Sequence, residues 1–164
     1  NLAPERISTF PDSPTYGKTI SYPNESQVFS ILKLENGIAG TLSVNGDSTI
    51  QDQAHFMIYG KKGILKLSDP NTFGGDVIYL PAQKDFKDHP APQILNYGFS
   101  YSENSRGLGP SEMADAIFEK RTNRANAELA VHVLDVIDHM VESSEKCAFV
   151  QVDSTCTRPE SMPL

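Results

Sequence analysis

His132, Asp135 and His139 fall at i, i+3 and i+7, and Glu128 lies one turn earlier, so a helix sets all four along one face. Those residue types ligate zinc or iron. Three ligands on one straight helix seldom converge on a single ion, because metal shells draw their ligands from several elements. The row therefore reads as the polar side of an amphipathic helix, and no metal site is predicted. His55 and His89 lack ligand-like neighbours and read as ordinary residues. A second cluster runs from Glu103 to Glu112, ENSRGLGPSE, and brings Asn104, Arg106, two glycines and a helix start together. Helix N-termini attract anionic and polar groups because their first N–H groups are unpaired and the dipole is positive there. Arg106 adds a forked donor beside that end. The segment DPNTFGG at 69–75 is a turn-rich loop of similar character, with Asn71 in its middle. Both stretches also read as plain capping and turning chain. Asn104, Arg106 and, more remotely, Asn71 are the candidate substrate-binding residues.

Other chemistries find no footing. The nearest approach to GxGxxG is Gly107-Leu108-Gly109, where Glu112 stands at the third glycine position. There is no Walker sequence, no HExxH and no GxSxG. The sequence thus predicts no cofactor-binding residue and no catalytic residue in this stretch. Cys147 and Cys156 are nine positions apart and form no CxxC pair, which reads as two free thiols in a reducing cytosol.

The elements that must position these residues follow from periodicity. Residues 26–34 alternate, with Val28, Leu32 and Leu34 on one face and Phe29 and Ile31 on the other. Asn36-Gly37 then predicts a two-residue type I′ turn, and 38–45 returns with Ile38, Leu42 and Val44 on one side. A second hairpin is expected over 54–68 around Gly60-Lys61-Lys62-Gly63, and a further strand over 77–80. Residues 81–106 hold three prolines and no clear period, so they read as a long irregular excursion. Gly109-Pro110-Ser111-Glu112 opens a helix that reaches about Lys120, and Asn126 caps a second that runs to about Ser143. A last short strand is expected over 148–152. Hairpins first and helices afterwards give an α+β class, an open and mostly antiparallel sheet with the two C-terminal helices on one face. Several strands are apolar on both faces, so the uncovered face calls for another domain or a second copy of the chain.

Composition bounds the rest. The chain has 164 residues, with 14 Lys+Arg against 21 Asp+Glu and a formal net charge of −7. Its mean hydropathy is −0.35. The densest basic stretch, Lys120, Arg121 and Arg124, is flanked by Glu119 and Glu128, which argues against a nucleic-acid partner. No apolar run reaches the roughly 18 residues that span a bilayer, and no leader opens the chain, so neither an anchor nor a signal peptide is expected. Four prolines in the first 23 residues predict an extended arm over 1–25, ahead of an α+β domain over 26–164. A start at Asn1 reads as part of something larger.

Taken in order, PNES (23–26), the Asn-Gly hairpin, IYGKKGILKLSDPNTFGG (58–75), SRGLGPSEMADAI (105–117) and RANAELAVHVLDVI (124–137) resemble the C-terminal part of the Gfo/Idh/MocA family. These are the glucose-fructose oxidoreductase and inositol dehydrogenase relatives. The resemblance covers nearly the whole chain. It implies an NAD- or NADP-dependent parent enzyme acting on a sugar, polyol or related small molecule, with an N-terminal Rossmann domain that holds the cofactor. It also implies a cytoplasmic homo-oligomer, in the first instance a dimer, formed through the sheet. The family's catalytic lysine, in an EKP-type motif, and its Asp and His on an early helix have no match here. They are expected before Asn1, and no catalytic role passes to His132 or Asp135. The alternative is a non-catalytic binding or assembly module that keeps the sheet.

Overall fold

The structure is a computed structural model that describes residues 5–21, 25–46, 56–95, 101 and 105–162. The chain divides into two compact units, Asn1–Asp52 and Gln53–Leu164. Its class is α+β, and among the described residues every ladder is antiparallel and two long helices lie at the C-terminal end.

In the first unit, β1 (Glu5–Ile7) pairs with β2 (Thr19–Ser21), and Arg6 stands opposite Ile20. The described part of the proline-rich stretch is therefore a short ribbon. Its end is closed by the Ser8 N–H donating to the Lys18 carbonyl at 3.0 Å and the Gly17 N–H donating to Ser8 at 2.9 Å. β3 (Gln27–Lys33) and β4 (Ala39–Asn45) form the expected hairpin. Val28 faces Val44 and Ser30 faces Leu42, so the even-numbered residues share one surface. Phe29 and Ile31 stand on the other and remain 73% and 62% exposed. Arg6 Nη1 donates to the Gly46 carbonyl at 2.8 Å and ties the ribbon to the end of β4.

The turn between β3 and β4 is not type I′. Of its residues only Gly37 has a positive φ, at 84°. The Gly37 N–H donates to Leu34 at 2.9 Å, and the Leu34 N–H donates to Ile38 at 2.8 Å. This is a three-residue loop, a turn followed by one left-handed glycine. Asn36 spends its side chain instead, accepting from the Ile38 N–H through Oδ1 at 3.1 Å.

In the second unit, β5 (Phe56–Gly60), β6 (Gly63–Leu67), β7 (Val77–Pro81) and β8 (Gln93–Leu95) form a four-stranded meander in that order. β8 lies inside the stretch read from sequence as irregular. Three residues after Pro90 and Pro92 are too few to display a period. Gly63 is required where it stands. Its φ is +147°, and a Cβ there would sit 2.2 Å from the Leu80 carbonyl oxygen. Helix α1 spans Leu108–Glu119 and α2 spans Ala127–Lys146. Asn126 caps α2 as expected, its Oδ1 accepting from the Leu129 N–H at 2.9 Å. Both helices end on a non-glycine residue in the left-handed region, Lys120 (φ 56°) and Cys147 (φ 50°). Each end closes a Schellman turn, with Arg121 N–H on the Ala116 carbonyl and Ala148 N–H on the Ser143 carbonyl.

The strand expected over 148–152 is not formed. The half-buried residues Val150, Val152, Ser154 and Cys156 do alternate with exposed ones, as in a strand. The bonds that hold this segment at Ala148 and Ser154, however, come from side chains of α2 and not from a second backbone, so there is no ladder. Among the described residues Ala116, 1% exposed, is the buried apolar side chain, and no helix is long and apolar enough to cross a membrane.

Candidate functional site

One side of α1 carries Leu108, Ser111, Glu112, Asp115 and Glu119, at helical spacings of three and four. These residues line a cavity of about 630 Å3, within the range of small-molecule sites. Tyr101, Ser105 and Gly107 border it near the start of α1, and Ser161 and Met162 border it from the C-terminal segment.

Glu112 is the cavity's buried charge, 7% exposed as a residue. A buried carboxylate persists only when paired and hydrogen-bonded. Here the Schellman turn at Lys120 reverses the chain and brings two arginines alongside. Arg121 Nη1 pairs with Glu112 Oε1. Arg124 Nη1 donates to the same oxygen at 2.8 Å, and the Arg124 N–H reaches Oε2 at 3.0 Å. Arg121 Nε also pairs with Glu119 at 2.6 Å. The Arg121 hydrogen bond, with those of Arg124, holds the Glu112 carboxyl below the ordinary range against the opposing effect of burial. The guanidinium of Arg121 is in turn made harder to deprotonate by Glu112. With those groups engaged, Ser111 and Asp115 make no side-chain hydrogen bond or ion pair among the described residues. With the hydroxyls of Ser105 and Ser161, they are polar groups left to meet a ligand. Three carboxylates against two guanidiniums leave the lining acidic by one charge, which favours a neutral or cationic molecule over a phosphate.

The sequence-derived candidates divide. Asn104 lies outside the described residues. Arg106 and Asn71, 35 positions apart, meet directly, Arg106 Nη2 donating to Asn71 Oδ1 at 3.0 Å. The DPNTFGG loop presents Asn71 because its own polar groups are satisfied internally. Asp69 Oδ1 accepts from the Asn71 N–H at 2.8 Å, and the Ser68 hydroxyl donates to the Gly74 carbonyl at 2.6 Å. Arg106 is exposed and has no carboxylate partner among the described residues, so most of its fork remains available. It follows Ser105 and precedes Gly107, both in the cavity wall, but is not itself part of the lining.

The polar row on α2 turns to the C-terminal segment. His132 Nδ1 lies 2.8 Å from Ser154 Oγ, and Asp135 Oδ2 accepts from the Ser154 N–H at 3.0 Å. Ser, His and Asp are the types of a nucleophilic triad, but the order is wrong. Asp135 holds the serine and not the imidazole of His132, so among the described residues no carboxylate orients that ring as a base. Ser154 bonds hold Asp135 below the usual carboxylate range. His139 is raised, chiefly by its hydrogen bond to the Asp135 carbonyl at 2.7 Å and then by the charges of Asp135, Glu142 and Asp153. Among the described residues no three His, Cys, Asp or Glu side chains gather as metal ligands.

Sequence reasoning missed Glu112 as the centre of a cavity. The signal was an acid one turn from Ala116 on the side of α1 that turns inward, followed by arginines just beyond the helix end.

No curated protein and no solved structure matches the chain. A family model does, over residues 5–152, and its description is the C-terminal alpha/beta domain of an oxidoreductase family. The antiparallel strands and two terminal helices agree with that match, and the chain belongs to the Gfo/Idh/MocA oxidoreductases, as their C-terminal domain.

Proposed function

We propose that this chain is the substrate-binding and oligomerising part of an NAD(P)-dependent oxidoreductase that acts on a sugar, polyol or related small molecule in the cytoplasm. The observation that carries the reading is the cavity on α1. It has a ligand's volume, a buried and fully paired Glu112, and the unengaged groups of Ser111 and Asp115. Hydroxyl and carboxylate groups of that kind suit a neutral, hydroxyl-rich molecule. Arg106, steadied by Asn71, stands beside the same wall as a second contact for the substrate.

The residues present do not fit the dinucleotide. Gly107-Leu108-Gly109 lacks its third glycine, and an acidic lining repels a pyrophosphate. The cofactor is held by a Rossmann domain elsewhere in the parent, and this chain binds and orients the substrate. On its own it is expected to show neither dehydrogenase activity nor NAD(P) affinity. Self-association through the sheet is supported by the exposure of Phe29 and Ile31 on one face of the β3–β4 hairpin and of Val44 on the other.

Shift mapping by NMR tests the cavity, with myo-inositol, D-glucose and NADH as separate probes. Perturbation at Ser111 and Asp115 by a polyol or sugar, with none by NADH, is the expected result. Saturable NADH binding, or polyol shifts confined to other segments, would overturn the assignment. Sedimentation tests the dimer, and a clean 18.0 kDa species at high concentration would sink it.

A further inference from the structure

The row Glu128, His132, Asp135 and His139 has the residue types of a metal site, and the activity proposed above makes no use of it. Its occupant is visible. Residues 148–162 run back along α2 and are pinned to it at intervals. Ser143 Oγ donates to the Ala148 carbonyl at 2.6 Å. Asp135 and His132 both hold Ser154. The Thr157 N–H donates to Glu128 Oε1 at 2.8 Å. Just ahead of α2, Arg124 Nε donates to the carbonyls of Glu160 at 3.0 Å and Ser161 at 3.2 Å.

The spacing explains why the pins recur. From Glu128 to Asp135 a helix rises about 10.5 Å. From Thr157 back to Ser154 an extended chain covers about 10 Å. The two segments therefore stay in register over this stretch, and the polar face of α2 serves as a rail. At the far end the strap meets the cavity, since Ser161 and Met162 are part of its lining. Arg124 touches both sides of that junction, with Nη1 on Glu112 and Nε on the strap.

We infer that residues 153–162 form a latched wall of the cavity, with Arg124 as the latch and Glu128 and Asp135 as the rail. The end of the strap then lifts from Arg124 while Ser154 and Thr157 stay docked, and that movement widens a cleft whose α1 side, at Ser111 and Asp115, is already exposed. Arg124 is a positioning residue in this scheme. The strap lies past residue 152, where the family match ends, so the family's description does not cover it. The inference concerns one wall of the cavity and holds whichever compound the cavity takes.

Thiol labelling of the full chain tests it. A Met162→Cys reporter in a Cys147→Ser, Cys156→Ser background reads lifting of the strap's end, because Met162 is half-buried. A Cys147→Ser chain that keeps the half-buried Cys156 reads docking of the strap on the rail. Arg124→Gln should speed maleimide labelling at position 162 about tenfold, the order set by losing the charge-assisted bonds to the Glu160 and Ser161 carbonyls. It should leave Cys156 nearly unchanged. Asp135→Ala should do the reverse first, accelerating Cys156. Arg124→Lys keeps a positive charge beside Glu112 but loses the fork, so it keeps the test valid if Arg124→Gln unfolds. It too should speed labelling at position 162. Equal labelling at 162 with and without the Arg124 fork, with circular dichroism unchanged, would refute the latch. Arg124→Gln accelerating both sites together would refute the separate latch.

Discussion

Replacing Arg106 by alanine separates a substrate contact from a loop cross-link. Among the described residues Arg106 makes one side-chain hydrogen bond, to Asn71 at 3.0 Å, between two exposed residues. A typical hydrogen bond contributes a net 0.5–1.5 kcal/mol, roughly, and water replaces an exposed one readily, so about 0.5 kcal/mol is at stake. For a chain of this size that lowers Tm by roughly 1–2 °C. A fork that donates to a substrate oxygen is worth about 1.5–3 kcal/mol, because the donor is charged. At about 1.4 kcal/mol per decade this corresponds to a loss in kcat/KM of roughly 10- to 150-fold in the parent enzyme. Steady-state kinetics and differential scanning calorimetry on the same full-length variant read both quantities. Asn71→Ala should give a smaller kinetic loss in the same direction, since it frees the fork without removing it. A Tm drop beyond about 5 °C with normal kinetics would show that Arg106 only joins two loops.

Other outcomes follow from the backbone and the ionised groups. Lys120→Gly should stabilise the chain by about 1 kcal/mol in urea denaturation, because glycine tolerates the left-handed region that lysine occupies at φ 56°. Gly63→Ala should destabilise by about 3 kcal/mol or more, since its Cβ would meet the Leu80 carbonyl oxygen at 2.2 Å. Docking of the strap, read by Cys156 labelling at varied pH, should weaken at the acid end of the scale. Asp135 is lowered below 3.8, chiefly by its bonds to Ser154, so its contribution holds above that value and is lost as pH falls through its folded pKa. His139 is raised chiefly by the Asp135 carbonyl within α2, so its contribution is to α2 itself, complete below 6.5 and fading as pH rises through its folded pKa. A flat labelling rate through the acid range, corrected for thiolate ionisation, would contradict the Asp135 assignment.

Local signals were legible and distant pairings were not. The Asn126 cap and the β3–β4 hairpin rest on residues within a few positions of one another, and both formed. Asn36-Gly37 marked the right place for the turn. Its type differed because Leu34 and Ile38 close a three-residue loop, which leaves Asn36 at negative φ and needs only Gly37 to be left-handed. The strand expected over 148–152 did not form. Periodicity records which side is covered and not by what, and the cover was a helix's side chains. The loop chemistry singled out Arg106 and Asn71 separately, but no local pattern joins residues 35 apart. Glu112 was hidden for a related reason. Its burial depends on Arg121 and Arg124 returning past the Schellman turn at Lys120, and that turn has no glycine to announce it.

The most direct test of the central claim is the kinetic behaviour of Asp115→Asn in the full-length parent, because Asp115 lines the cavity and has no ion pair among the described residues. If the α1 cavity holds the carbon substrate, KM for that substrate should rise about tenfold, the cost of weakening one charge-assisted hydrogen bond. KM for the nucleotide and the melting temperature should stay where they were. A changed nucleotide KM with an unchanged substrate KM would contradict the account and place the substrate outside this cavity.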